Sequence, residues 1–392
     1  MSWPIRSLAS ICDMQIGKTP SRSNPSFWNG LHPWATISDF QQGRCVRSTK
    51  ESITDAAVHS CGCKVATQGT LLLSFKLSVG KRAFAGTDLF TNEAIAALTP
   101  KDSNALSLAY LYWALGDLDY DANADRAAKG KTLNKAKLSA LLIPVPPLPE
   151  QKRIAAILDA ADALRAKRRE SIEQLDSLIQ ATFLEMFGDP VTNLKGWETK
   201  EAAAIVRDGT IITYGIVQAG DEFPGGVPYI RTGDIVNGEV AVGQLRRTNP
   251  AIAAKFERSR VDAGDIVMSI RATVGTCALI TSSVAGANLT QGTARLAPSF
   301  RVLSKYLLHF IRTKGCQQWI QQQVKGATFR EITLGRLRQM PVLLPPLSLQ
   351  KRFASIVESI EQQKAGLKAH LAELDTLFAS LQSRAFNGEL VA

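Results

Sequence analysis

Short basic and hydroxyl side chains recur at matched places along this chain. Its first half carries Lys18, Thr19, Ser21 and Arg22, then Ser74, Lys76, Ser78, Lys81 and Arg82; its second carries Tyr214, Arg231, Thr232, Ser269, Arg271, Thr273 and Gln291. Ammonium and guanidinium groups neutralise phosphates, while Arg, Gln, Ser and Thr match the donors and acceptors of base edges, so these sets are candidates for reading a nucleic acid. Any one of them alone is equally at home in a solvated loop. Lys+Arg 46 against Asp+Glu 35 gives a net charge of +11 and a pI near 9.4, a balance that favours a polyanionic partner.

Bond-making chemistry has poorer footing. Asn24-Pro25-Ser26-Phe27 imitates the loop with which adenine methyltransferases grip a flipped base, but no Gly-rich cofactor loop after a strand accompanies it, and it reads as a surface turn. Asp189 with Glu198 and Lys200 resembles half of a metal-dependent nuclease centre, yet Leu194-Lys195-Gly196-Trp197 between them reads as the entry to a second globular segment. His59, Cys61 and Cys63, with Cys45 and Cys12 upstream, lack the paired spacings of structural zinc, so no metal is expected. No nucleotide-binding P-loop occurs. The six cysteines fit reduced thiols better than a disulfide framework. No apolar run reaches membrane-span length and the first residues lack the apolar region of a signal peptide, so a cytoplasmic protein with no membrane partner is expected.

The elements that must position these residues occur twice. Pro146–Gly188 is repeated from Pro345 onward, with Gln151-Lys152-Arg153 matching Gln350-Lys351-Arg352 and Leu175-Asp176 matching Leu374-Asp375, always 199 residues apart. Each copy follows a Pro-Pro pair that a helix interior rejects, and then spaces apolar residues by three and four. A narrow seam results: Ile154, Ile157, Leu164, Leu175 and Leu178 in the first copy, and Phe353, Ile356, Ile360, Leu367, Leu371, Leu374 and Leu377 in the second. Gly188 and Gly388 supply stops. A helix of about 38 residues is near 57 Å long at about 1.5 Å per residue, too long for a small domain to bury, so the natural partner of one copy is the other.

The repeat extends upstream of the helices. His32–Asp39 parallels Val227–Asp234, and Gly69–Gly80 parallels Gly264–Gly275, both 195 residues apart. The chain is therefore two tandem copies of one unit, a globular arm followed by a long helix. Short β-branched and aromatic runs broken by Gly, Pro and Asp predict strands and turns in the arms. Short helices are predicted around 106–115 and 303–311. Antiparallel packing of the long helices would give a pseudo-twofold cyclic arrangement that brings the chain ends together, with each arm offered to one part of a duplex, as in dimeric DNA-binding proteins.

The Pro147-Leu148-Pro149-Glu150-Gln151-Lys152-Arg153-Ile154 opening of the central helix, its echo at Pro345–Phe353, and the Gly17–Ser21 and Val227–Asp234 patches resemble the specificity subunit of type I restriction-modification systems over essentially the whole chain. The fold class this resemblance implies is α+β: two tandem mixed α/β target-recognition domains joined by two long helices that form an antiparallel coiled coil. The expected boundaries are 1–145 for the first target-recognition domain, 146–188 for the central helix, 189–344 for the second domain and 345–392 for the C-terminal helix. The resemblance further implies a non-catalytic, DNA-binding subunit that reads an asymmetric bipartite double-stranded target with a non-specific spacer. Its expected partners are two modification (methyltransferase) subunits and the restriction subunits, with S-adenosylmethionine held on the modification subunit and no cofactor on this chain. Two other classes compete: a self-sufficient DNA methyltransferase or restriction enzyme, disfavoured by the missing cofactor loop, and a coiled-coil protein–protein adaptor, disfavoured by the basic balance.

Overall fold

The structure, a computed structural model, describes residues 3–120, 125–127, 130–326 and 330–390. Two continuous helices of 40 residues each, Leu148–Phe187 and Leu347–Phe386, run through it. Each opens just after a Pro-Pro pair and ends before a glycine in the left-handed region, Gly188 at φ 81° and Gly388 at φ 76°, a conformation that L side chains avoid. The chain divides into two compact units, residues 1–169 with 370–392, and residues 170–369, so each unit takes a piece of both helices.

In the first unit a five-stranded sheet has the order Cys12–Ile16, Ile95–Pro100, Leu71–Ser74, Arg82–Ala85, Cys45–Val46. A three-stranded sheet pairs Trp28–Ala35 with Glu51–Ile53 and, in parallel, with Phe90–Thr91. In the second unit a four-stranded sheet has the order Thr213–Tyr214, Thr293–Leu296, Ile266–Ser269, Cys277–Leu279, and Val227–Ile230 lies between Arg246–Thr248 and the parallel Asn288–Leu289. The predicted short helices form at Leu108–Asp117 and Ser304–Arg312. Residues that match by sequence do the same work. Asp39 accepts from the Thr36 backbone amide at 2.7 Å, and Asp234 from that of Arg231 at 2.8 Å. The Tyr110 hydroxyl donates to the Pro144 carbonyl at 2.7 Å, and that of Tyr306 to Leu343 at 2.9 Å.

Each core is closed by the start of one long helix and the end of the other. Ile154, Leu158 and Ala161 join Phe378 and Ala385 in the first unit; Ile179, Phe183 and Phe187 join Phe353, Val357 and Ile360 in the second. Within each unit the two pieces run antiparallel. Arg165 meets Asp375 at 2.6 Å and Arg153 meets the Leu390 carbonyl; in the second unit Lys364 meets Asp176, and the Phe187 and Phe353 rings lie 5.4 Å apart. Arg165–Asp375 and Lys364–Asp176 are the same pair in the two copies. The chain ends fall in one unit, where the Trp3 indole donates to the Ala385 carbonyl at 3.1 Å.

The seam differs from the sequence expectation at three leucines. Leu164, Leu178 and Leu377 are exposed at 55%, 49% and 51%. Burial runs instead through Ile154, Leu158, Ala161, Arg165, Arg168, Ile172, Leu175 and Ile179, and through Phe353, Val357, Ile360, Lys364, Leu367, Leu371, Leu374 and Phe378, an unbroken alternation of three- and four-residue steps. The three leucines stand one position before a seam residue. Charged residues with long apolar stems hold part of the seam, the Arg165 guanidinium lying 4.3 Å from the Phe378 ring centroid. Ile157 and Ile356 sit at its half-buried margin.

A buried glutamine ties each arm to its helix. Gln151 donates to the Ala105 and Pro146 carbonyls, both at 2.8 Å, and accepts from the Ser107 amide at 2.9 Å. Gln350 donates to Arg301 and Pro345 at 3.1 and 2.9 Å and accepts from Leu303 at 2.9 Å. Replacing either by Ala strands buried backbone groups that cost about 1–3 kcal/mol each, so Gln151→Ala and Gln350→Ala should each lower stability by roughly 3 kcal/mol in urea unfolding of the full chain. A loss below about 1 kcal/mol would show that water takes over those bonds.

Candidate nucleic-acid interface

The residues singled out for polar readout fall into two places in each arm. The first lies where the chain leaves the strands Cys12–Ile16 and Thr213–Tyr214. Gly17 and Gly215 pass so close to the next sheet that a Cβ would stand 2.2 Å from the Thr91 carbonyl oxygen and 1.9 Å from that of Leu289, so only glycine allows the approach. It sets Lys18, Thr19, Ser21 and Arg22 on the surface of one arm and Tyr214, 43% exposed, on that of the other. Several of these groups are held internally. The Lys18 ammonium donates to the Cys61 carbonyl at 2.8 Å, Thr19 bonds Glu93, and the Ser21 hydroxyl lies 2.8 Å from that of Ser23. Arg22 grips Glu51 with both terminal nitrogens, holding that carboxyl below its ordinary pKa, and its guanidinium stacks 3.9 Å from the Trp28 ring centroid. Arg231 likewise chelates Asp234 at 2.7 and 3.0 Å, with Thr232 half-buried beside it. Gln291 is half-buried, and its backbone N–H donates to the Ile216 carbonyl at 2.9 Å.

The second place is a hairpin loop between paired strands, 74–81 in one arm and 269–276 in the other. Its base is closed identically. Ser74 N donates to Lys81 O at 2.8 Å and Gly80 N to Ser74 O at 2.9 Å; Ser269 N donates to Thr276 O at 2.8 Å and Gly275 N to Ser269 O at 3.0 Å. A later segment pins each loop from the side, Leu133 N donating to Phe75 O at 2.8 Å and Ile332 N to Ile270 O at 3.0 Å. Phe75 and Ile270 are buried, and half-buried Val79 and buried Val274 pack against the core. Three residues lie between them: Lys76-Leu77-Ser78, of which half-buried Lys76 and exposed Leu77 pair antiparallel with Thr132 and Lys131, and the exposed Arg271-Ala272-Thr273. The central residue of each trio has positive φ, 66° for Leu77 and 56° for Ala272. Arg271 pairs through Nε with Glu331 at 3.0 Å.

Three candidates are corrected here. Ser74 and Ser269 are wholly buried: the Ser74 hydroxyl bonds the Ser78 carbonyl and accepts from the Lys81 amide at 3.0 Å, so it closes the loop and cannot meet a ligand. Arg82 turns inward, its guanidinium 4.6 Å from the Tyr112 ring centroid and packed against Gly116, where burial pulls its pKa down. Lys81, by contrast, is exposed. Leu77 and Ala272 are not among the candidates that the sequence offers, since neither residue type announces a left-handed backbone. The usable signal was their shared offset between a basic and a hydroxyl residue.

Among the described residues no group of three or more His, Cys, Asp or Glu side chains is placed to hold a metal, and no helix is long and apolar enough to cross a membrane.

Comparison with known proteins agrees with the duplicated plan. The family model described as "Type I restriction modification DNA specificity domain" matches residues 2–174 and again 196–375. The chain is 27% identical to the type I restriction enzyme EcoBI specificity subunit of Escherichia coli over 67% of its length, an alignment spanning 61% of that relative. It is 22% identical to the MjaIX specificity subunit of Methanocaldococcus jannaschii over 99% of this chain and 93% of the relative. In fold it resembles the crystal structure of the S subunit of a type I restriction-modification system from M. genitalium, with a TM-score of 0.53 and 16% identity over 98% of this chain and 96% of that one.

Proposed function

Because this chain belongs to the family of type I restriction-modification DNA specificity domains, we propose that it is the non-catalytic, sequence-reading subunit of such a complex. Each arm reads one part of a split double-stranded target, and the helices between them span a stretch whose sequence is not read. The observation that carries this reading is the pair of structurally equivalent hairpin loops presenting different side chains, Lys76-Leu77-Ser78 and Arg271-Ala272-Thr273, on matching frameworks. Equal frameworks with unequal tips suit two unequal half-sites.

Methyl transfer and cleavage belong in this reading to separate chains, with S-adenosylmethionine held by the modification subunits. Two equivalent helix openings, at Pro147–Arg153 and Pro346–Arg352, suit two copies of a modification subunit, with the restriction subunits joining that core. The openings differ at two positions, Pro149 against Ser348 and Glu150 against Leu349. Arg153 is locked to Glu150 at 2.7 and 2.8 Å, whereas Leu349 stands at the place of Glu150 in the second copy and leaves exposed Arg352 without that carboxylate. The cytoplasm is the compartment that such a complex needs.

Co-expression with the modification and restriction chains, followed by selection from random duplex DNA, should enrich one asymmetric split sequence. Methylation should require the modification chain. A purified chain that methylates or cuts DNA alone would refute the division of labour, and binding without any sequence enrichment would refute the readout.

A further inference from the structure

The two hairpin tips share a feature that burial and packing do not require. Leu77 is 53% exposed and Ala272 is exposed, so neither side chain gains from the core what its left-handed backbone costs. Loops that need positive φ for a turn alone ordinarily place glycine or asparagine there. Here two arms that differ widely in sequence hold the same non-glycine strain at equivalent positions, pinned by equivalent backbone bonds. Such over-determined strain clusters at sites where side chains must be aimed before a ligand arrives. In both tips the strained residue separates a basic side chain from a hydroxyl, the donors that suit guanine O6 and N7 and neighbouring base edges.

We infer that Lys76-Leu77-Ser78 and Arg271-Ala272-Thr273 are the base-reading tips of their units, each setting one half of the split target. Leu77 and Ala272 act as positioning residues that fix the directions of the basic and hydroxyl groups beside them. In the second tip the ion pair to Glu331 engages Nε and orients the guanidinium, so the Nη groups are the ones presented to a base. This inference rests on the DNA-reading function proposed above and names the side chains that perform it.

The test is selection from random duplex DNA by the full chain in complex with its modification partner, comparing wild type with Lys76→Gln, Leu77→Gly, Arg271→Gln and Ala272→Gly. The first two variants should relax one half-site and leave the other intact, and the last two should do the reverse. Each should weaken binding to the wild-type target by about tenfold, the loss of one good base contact. The glycine variants should do so without lowering the thermal midpoint, since glycine accepts positive φ without strain. A wild-type complex that enriches a split sequence, with variants that keep both halves and their affinity, would overturn the inference while leaving the proposed function standing. Relaxation of both halves by one variant would overturn it too. A wild-type complex that enriches nothing would overturn the proposed function and this inference with it.

Discussion

Inserting one heptad between Arg169 and Glu170 and another between Ala369 and His370 should lengthen the unread spacer of the target and leave both half-sites unchanged. These points lie where the two compact units divide, so the residues of each unit keep their neighbours within it. Seven residues keep the three–four alternation of the seam in register and add about 10 Å of helix at about 1.5 Å per residue. That corresponds to about three base pairs at roughly 3.4 Å each. Three base pairs also turn the second half-site by about a third of a helical turn, so affinity should fall while the preferred spacer grows. Selection from a random pool reads both quantities together. A folded variant that keeps the original spacer, or that changes its half-sites, would show that the helices do not set the distance.

Raising salt from about 50 to about 200 mM should weaken DNA binding roughly a thousandfold if about six Lys and Arg side chains meet phosphates, because each contact contributes a slope near −0.9 in log affinity against log salt. Exposed Lys81, beside the first reading tip, is a candidate for such a contact. Lys81→Gln should therefore reduce the slope by about one and weaken all sequences alike. Titration of labelled duplex across a salt series measures this directly. Affinity indifferent to salt would favour the protein–protein adaptor.

Several features of this architecture were legible before any coordinates. The duplication could be read because each copy reuses residues whose backbone or hydrogen-bonding demands admit few substitutes. Examples are the Pro-Pro pair that starts each helix, the glycine that stops it, and the glutamine three residues into it that closes the arm. That the two long helices pair with each other followed from their length and narrow apolar seam, while their antiparallel direction within each unit is seen only in the contacts Arg165–Asp375 and Lys364–Asp176. Site chemistry was less legible, because the same residue types serve both a solvated loop and a base edge.

By itself, then, the sequence determined the repeat, the two arms, the two helices and their stops. These depend on local backbone constraints and on periodicity, which neighbouring residues express without help. Tertiary structure alone decided which face of each helix is the seam: Leu164 and Leu178 compete with Arg165 and Ile179 one position away, and only the partner's surface, with Asp375 and Phe378 opposite Arg165, settles the rotation. It also decided that Ser74 and Ser269 are buried, since a hydroxyl at a strand end is equally content in water or closing a loop. The left-handed turns at Leu77 and Ala272 were decided there as well, because no intrinsic preference of leucine or alanine calls for positive φ. That conformation is imposed by backbone hydrogen bonds to segments more than fifty residues away in sequence, Leu133 in one arm and Ile332 in the other.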